Sequence, residues 1–202
     1  MPQNMNTDDL VKFKRAYRIT TAKKPTASDQ QLAFRNWSEL AEKGYVRSAF
    51  YLGVCFDLGY GVRKNTKKAF AAFQRAARSG HSEAQYNLYQ MYHRGIGVNK
   101  DIKAGLHWLR KATKNCDIGA IRDLGYLYHE GVGIKTNYRK AAQLYHRAAM
   151  LGDTMAQWNL ALCYQDGHGV QKSQRWSLYW MRKAAKNGHQ KARTHITAMA
   201  KK

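Results

Sequence analysis

The 202-residue sequence predicts an all-α protein, an α/α superhelix built from about four helix-turn-helix repeats with half-repeat caps. Three observations predict it. Gly-X-Gly recurs at Gly59/Gly61, Gly95/Gly97, Gly131/Gly133 and Gly167/Gly169, each pair 36 residues after the last, and a fixed period of roughly 20 to 50 residues marks a solenoid. Other positions keep the same register: a small residue at Ser48, Ala84, Ala120 and Ala156, leucine at Leu52, Leu88, Leu124 and Leu160, and an aromatic ring at Phe56, Tyr92, Tyr128 and Tyr164. Finally, both prolines precede the repeats, so no proline breaks the expected helices.

Residues 1–27 form a basic segment ahead of the array. Leu10, Phe13 and Tyr17 share a helical face, Lys12, Lys14, Arg15 and Arg18 surround it, and Thr7 is the expected N-cap. Such a helix either caps the first repeat, touches a membrane or nucleic acid, or stays flexible. The array occupies residues 28–202. It opens in mid-unit, because Ala33, Trp37 and Ala41 lie 36 residues before Ala69, Phe73 and Ala77. Four repeats then run near 48–80, 84–116, 120–152 and 156–188.

In the clearest of these, Ala120, Leu124, Leu127 and Tyr128 define one face of a first helix that Gly131 ends. Gly133 is expected to let the chain turn sharply. Ala141, Leu144, Tyr145, Ala148 and Ala149 define the second helix, closed by Gly152. Past the fourth repeat, Ala192, Ile196 and Ala200 continue the first-helix pattern for half a unit, as a terminal cap.

The pattern A-x-x-x-L-G-x-x-Y-x-x-G-x-G-V, followed by K-A-x-x-W-x-x-K-A-A-x-x-G, resembles the Sel-1-like repeat, a relative of the tetratricopeptide repeat. The resemblance covers nearly the whole chain from Gln31 on. Departures are Tyr89 and Ala161 in place of the glycine after the leucine, and Cys116 where Gly80 and Gly152 close the second helix. The resemblance implies a superhelix that binds other proteins, usually as an adaptor, and bacterial proteins with these repeats serve in signalling, secretion and host interaction. Family membership does not identify the partner.

Composition narrows the classes. A hydrophobic fraction of 44% suffices for a core, and no apolar run approaches the roughly 20 residues of a membrane helix. The N-terminus lacks the apolar stretch of a signal peptide. The cytoplasm is the expected location, with export as an effector lacking a cleavable signal as the other route, and a monomer is the expected state. Cys55, Cys116 and Cys163 are odd in number and read as reduced packing residues. Thirty-five Lys and Arg against thirteen Asp and Glu give a net charge of +22, which points to an acidic partner or else serves solubility alone.

No catalytic set emerges, and neither a cofactor nor a metal is expected. The eight histidines include no H-E-x-x-H, and Cys-X-X-Cys is absent. His93 and His129 share a register position and are expected about 10 Å apart on adjacent helices, which makes them a surface pair rather than two ligands. The glycine pairs lack the preceding strand and following G-K-[ST] of a phosphate loop. Some cysteine-rich relatives bind or cleave β-lactams, but this chain lacks their cysteine pair in each repeat, so that activity is the least favoured reading.

The candidate partner site is a second stripe on the first helices, which line the concave face in the family. It comprises Phe50, Val54 and Asp57; Tyr86, Gln90 and His93; Arg122, Tyr126 and His129; and Trp158, Leu162 and Gln165. The stripe mixes aromatic with polar groups and changes from repeat to repeat, as a reading surface does. For Phe50, Tyr86 and Trp158, packing between neighbouring helices is an equal alternative. A basic ridge runs along the second helices: Lys67, Lys68, Arg75; Lys103, Arg110, Lys111; Arg139, Lys140, Arg147; Arg182 and Lys183. Stacked at a regular period, these cations suit an extended polyanion, so non-specific nucleic-acid binding on the convex side is the alternative to a protein partner.

Overall fold

In the computed structural model, which describes residues 5–200, the described residues form eleven α-helices and no strand. They fall into two compact units, one ending at Lys111 and the other beginning at Ala112. The boundary lies inside a helix, not in a linker.

The first unit contains α1 (Thr7–Thr20), α2 (Ala27–Glu42), α3 (Val46–Leu58), α4 (Thr66–Arg78), α5 (Ser82–Arg94) and most of α6 (Ile102–Lys114). From α1 to α5, each helix packs on the next. Asn6, not Thr7, caps α1: its side chain accepts from the Asp9 amide at 2.8 Å, and Thr7 is the first helical residue. The cap one residue earlier places Asp8 and Asp9 in the first turn, where the positive end of the helix dipole favours them. The segment packs on α2. Phe13, Ala16 and Ile19 are buried against Trp37, which sits edge-on to Phe13 at 5.1 Å and stacks on Tyr51 at 4.6 Å. Trp37 donates its indole N–H to Thr20 at 3.0 Å. The Asp9 carboxylate is buried, and it accepts from Lys43 at 2.5 Å and Tyr45 at 3.0 Å, a partnered state that a buried charge requires.

The second unit continues with α7 (Ile118–Glu130), α8 (Tyr138–Met150), α9 (Thr154–Asp166), α10 (Gln174–Lys186) and α11 (Gln190–Ala200), again each on the next. Its core gathers Ile121, Tyr145, Leu160, Trp180 and Met181 with alanines of α8 and α9. Ala192 is fully buried and Ile196 packs on that core, while the side chain of Ala200 lies outside the described residues.

The first glycine of each pair is the expected helix end: Gly59, Gly95, Gly131 and Gly167 are left-handed C-caps. The second has a further reason beyond the expected sharp turn. A Cβ on Gly61, Gly97 or Gly169 would lie 2.1, 2.3 or 2.1 Å from the carbonyl oxygen of Gln30, Thr66 or Tyr138. Each turn therefore seats its backbone directly on the first turn of the second helix one repeat earlier. Cys116, at the register position of Gly80 and Gly152, also adopts a positive φ of 62°. Its thiol is exposed, which corrects the expectation of a packing residue; the conformation carries it outward, and Arg147 donates to its sulfur at 3.0 Å. Cys55 and Cys163 are buried as expected, and burial pushes their thiols up to about 12 and about 11.

Candidate functional site

The stripe on the first helices proves to be a row of half-buried side chains with two exposed members. In the first unit Phe50 stacks on the His81 ring, with centroids 4.5 Å apart and planes 17° apart, and leans on Phe73. Val54 lies against the core of α3 and α4. Asp57 is half-buried. On α5, Gln90 donates to the Tyr86 hydroxyl at 2.8 Å, and His93 sits 5.6 Å from the Tyr89 ring.

In the second unit Arg122 binds Asp123 through Nε and Nη2, at 2.9 and 2.8 Å, and Asp153 through Nη1 at 2.9 Å. Trp158 stacks on His189 at 5.1 Å and meets His195 edge-on at 6.2 Å. Leu162 packs on the core, whereas Gln165 is exposed. Tyr126 is 50% exposed. Of the aromatic members of the stripe, only Tyr126 is exposed, while Phe50 and Trp158 follow the packing alternative.

These contacts follow a register rule that the sequence reading missed. The N-cap of each following first helix, His81, Asp153 or His189, stands 31 residues beyond Phe50, Arg122 or Trp158. The aromatic ring meets an imidazole cap, and the guanidinium meets a carboxylate cap. Pair chemistry changing in step at a fixed offset was the available signal. The histidine caps also constrain titration. His81 Nδ1 accepts from the Ala84 amide at 3.4 Å and His189 Nδ1 from the Ala192 amide at 3.2 Å, so both rings must keep that nitrogen unprotonated. Burial holds both imidazoles below the ordinary histidine value.

His129 likewise has a partner that was not foreseen. Its Nε2 lies 3.2 Å from Nδ1 of His168, the middle residue of the Gly167-His168-Gly169 turn, and its Nδ1 lies 2.7 Å from Glu130. Tyr138, the first residue of α8, stacks on His168 at 4.4 Å. The turn delivers His168 to the end of α7, where it meets His129. Among the described residues no group of three or more His, Cys, Asp or Glu converges on one point.

The basic residues lie as expected on the second helices. Lys67, Lys68, Arg75, Lys103, Arg110, Lys111, Arg139, Lys140, Arg147 and Arg182 are exposed, and Lys183 is half-buried. Arg75 donates to the Ala41 carbonyl oxygen. Lys68, Lys111, Lys140 and Lys183 lie over the rings of Phe56, Trp108, Tyr128 and Trp180, at 5.6, 4.9, 5.3 and 5.0 Å. A long side chain laid on an aromatic face keeps its charged end in water. On α10 an open depression of about 670 Å³ is lined by Arg175, Tyr179, Arg182, Lys183 and Lys186, a cationic rim with an aromatic wall.

The comparisons with known proteins agree with this architecture. A family model described as the Sel1 repeat matches residues 46–81, 82–115, 118–153 and 154–189. No curated protein matches the chain. Among solved structures, a Sel1 repeat protein from Oxalobacter formigenes is similar at 26% identity with a TM-score of 0.88, over 95% of this chain and 55% of that one. A protective antigen present in uropathogenic Escherichia coli strains, displaying an SLR fold, is similar at 27% identity and a TM-score of 0.83, over 91% of this chain and 39% of that one. An immunity protein from Pseudomonas aeruginosa, Pa5087, shares the fold at 17% identity and a TM-score of 0.61, over 95% of this chain and 70% of that one. The chain thus spans little more than half of the Oxalobacter protein and less than half of the Escherichia antigen. No helix among the described residues is long and apolar enough to cross a membrane.

Proposed function

We propose, given that the chain belongs to the Sel1 repeat family, that it works as a non-enzymatic adaptor gripping an acidic protein partner through the open side of its first helices. Sel1-repeat proteins generally act as protein-interaction scaffolds. The observation that carries the reading is the stripe itself. Register positions that build the core repeat, whereas those of the stripe change from Phe50 to Tyr86, Arg122 and Trp158 and from Val54 to Gln90, Tyr126 and Leu162. Tyr126 is the candidate anchor, because a tyrosine holds a large apolar area beside a hydrogen-bonding end and is common at interface hot spots. A net charge of +22 favours acidic partners by speeding encounter and selecting against basic ones.

A second reading, polyanion binding along the second helices, is favoured by one specific observation: α4, α6, α8 and α10 contain no Asp or Glu at all. One experiment separates the two. Lysate is passed over immobilised protein at about 0.15 M and about 0.5 M salt, with and without nuclease, since exposed charge contacts weaken steeply over that range. The adaptor reading expects one protein retained after nuclease and high salt, and retained less with Tyr126→Ala. Recovery of nucleic acid alone, released by salt, would replace it with the polyanion reading.

A further inference from the structure

We propose that His129 and His168 form a two-histidine binding site for a first-row divalent cation such as Zn²⁺ or Ni²⁺, at the junction of the third and fourth repeats. The site stands independently of the adaptor reading. Two imidazole nitrogens bound to one tetrahedral ion at about 2.0 to 2.1 Å stand about 3.3 Å from each other. Nε2 of His129 and Nδ1 of His168 are 3.2 Å apart, and their ring centroids 5.3 Å apart. With Nδ1–H of His129 given to Glu130, the proton between the two rings sits on Nδ1 of His168; on binding it passes to Nε2 of that ring, and both imidazoles turn so that their lone pairs meet at the ion.

Each imidazole is held by a neighbour that leaves its ligand nitrogen facing the other ring. Glu130 accepts from Nδ1–H of His129 at 2.7 Å, which fixes the tautomer that exposes the Nε2 lone pair. A carboxylate behind the imidazole is the usual outer-shell support of a histidine ligand. On the other side, Tyr138 stacks on the His168 ring at 4.4 Å and fixes its plane. His129 and Glu130 are the last two residues of α7, where the negative end of the helix dipole favours a cation, in a chain that is otherwise strongly basic. His129 and Glu130 are partly open to solvent, with side-chain exposures of 26% and 46%, so water can complete the coordination.

The arrangement is particular to this junction. The turn residue that supplies His168 is Tyr60, Ile96 or Val132 in the other repeats. Two nitrogen donors suit zinc, nickel or copper, whereas magnesium and calcium call for oxygen.

The test is calorimetric titration of the full chain, freed of any purification tag and stripped with chelator, with ZnCl₂, NiCl₂ and MgCl₂ in turn. One Zn²⁺ or Ni²⁺ per chain is expected, with no uptake of Mg²⁺, and binding weakens as pH falls from about 7.5 to about 5.5 because protons compete for imidazole. His129→Ala and His168→Ala each weaken binding at least tenfold, Glu130→Gln weakens it about tenfold through the outer shell, and His107→Ala on α6 leaves it unchanged. Circular dichroism establishes that the variants are folded. Zn²⁺ is expected to raise the thermal midpoint of the parent chain but not of the His129→Ala/His168→Ala double variant. Absence of uptake by the parent chain, or undiminished uptake by the double variant, overturns the proposal.

Discussion

The first helices α3, α5, α7 and α9 and the second helices α4, α6, α8 and α10 are equal in length and opposite in charge. The first set holds Asp57, Glu83, Asp123, Glu130 and Asp166 against Arg47, Arg94 and Arg122. The second set holds four cations in α4, four in α6, three in α8 and four in α10, and no acid. Helix formation does not ask for this. Acids in the first turn are favourable beside the helix dipole, yet the second helices have none there and are capped by neutral Asn65, Asn137 and Ser173, with Asp101 the one acidic cap. The separation therefore belongs to what these surfaces meet. The half-buried stripe of the first helices changes its chemistry from repeat to repeat, and the exposed cations of the second helices recur.

The largest effect expected from disturbing this plan comes from the backbone that joins the two sets. Gly169→Ala places a Cβ 2.1 Å from the Tyr138 carbonyl oxygen, at a φ of +75°, and should cost about 3 kcal/mol or more in urea unfolding. A loss below about 1 kcal/mol would mean that α8 yields to the turn and that its position is not set by this contact.

Next, reversing charge on the outer helices with Arg139→Glu, Arg175→Glu and Arg182→Glu should release a salt-sensitive ligand at least tenfold while altering stability by no more than about 0.5 kcal/mol, since all three are exposed. Tyr126→Ala should weaken a salt-resistant protein partner by more than about 1 kcal/mol. If the same ligand responds to both, the division of labour between the helix sets fails.

The smallest effect concerns the caps. His81 and His189 are held below the ordinary histidine value in the folded chain, so on acidification through about 6.5 the unfolded chain takes up protons that the folded one does not. Their contribution to stability is complete above that pH and is lost as pH falls. His81→Asp with His189→Asp, which copies the Asp153 cap of α9, should flatten the change in midpoint between about pH 7.5 and 5.5.

Much of the fold could be read from the chain, because a helix hairpin repeated at a constant period leaves its packing residues in fixed register. Trp37, Leu88, Leu124, Tyr145 and Leu160 are buried where the periodicity puts them. Less of the surface was legible. Periodicity within one helix says which side a residue takes, but the partner of Phe50 or Trp158 comes from the start of the next repeat, and that of His129 from the turn beyond it. Such contacts depend on how closely one backbone lies on another. Gly61, Gly97 and Gly169 encode that approach, and they read in sequence as ordinary turn residues. Cys116 shows the converse: the register marks a position requiring left-handed backbone, and the residue type alone suggests a buried thiol.

The seating of Gly61, Gly97 and Gly169 on a main-chain oxygen bears on ancestry as much as on stability. A joint made from backbone alone is indifferent to the side chains on either part, so a duplicated or exchanged 36-residue cassette arrives with its connection already compatible. Arrays of this design can lengthen by copying whole units, after which matched pairs such as Phe50 with His81 and Arg122 with Asp153 diversify together.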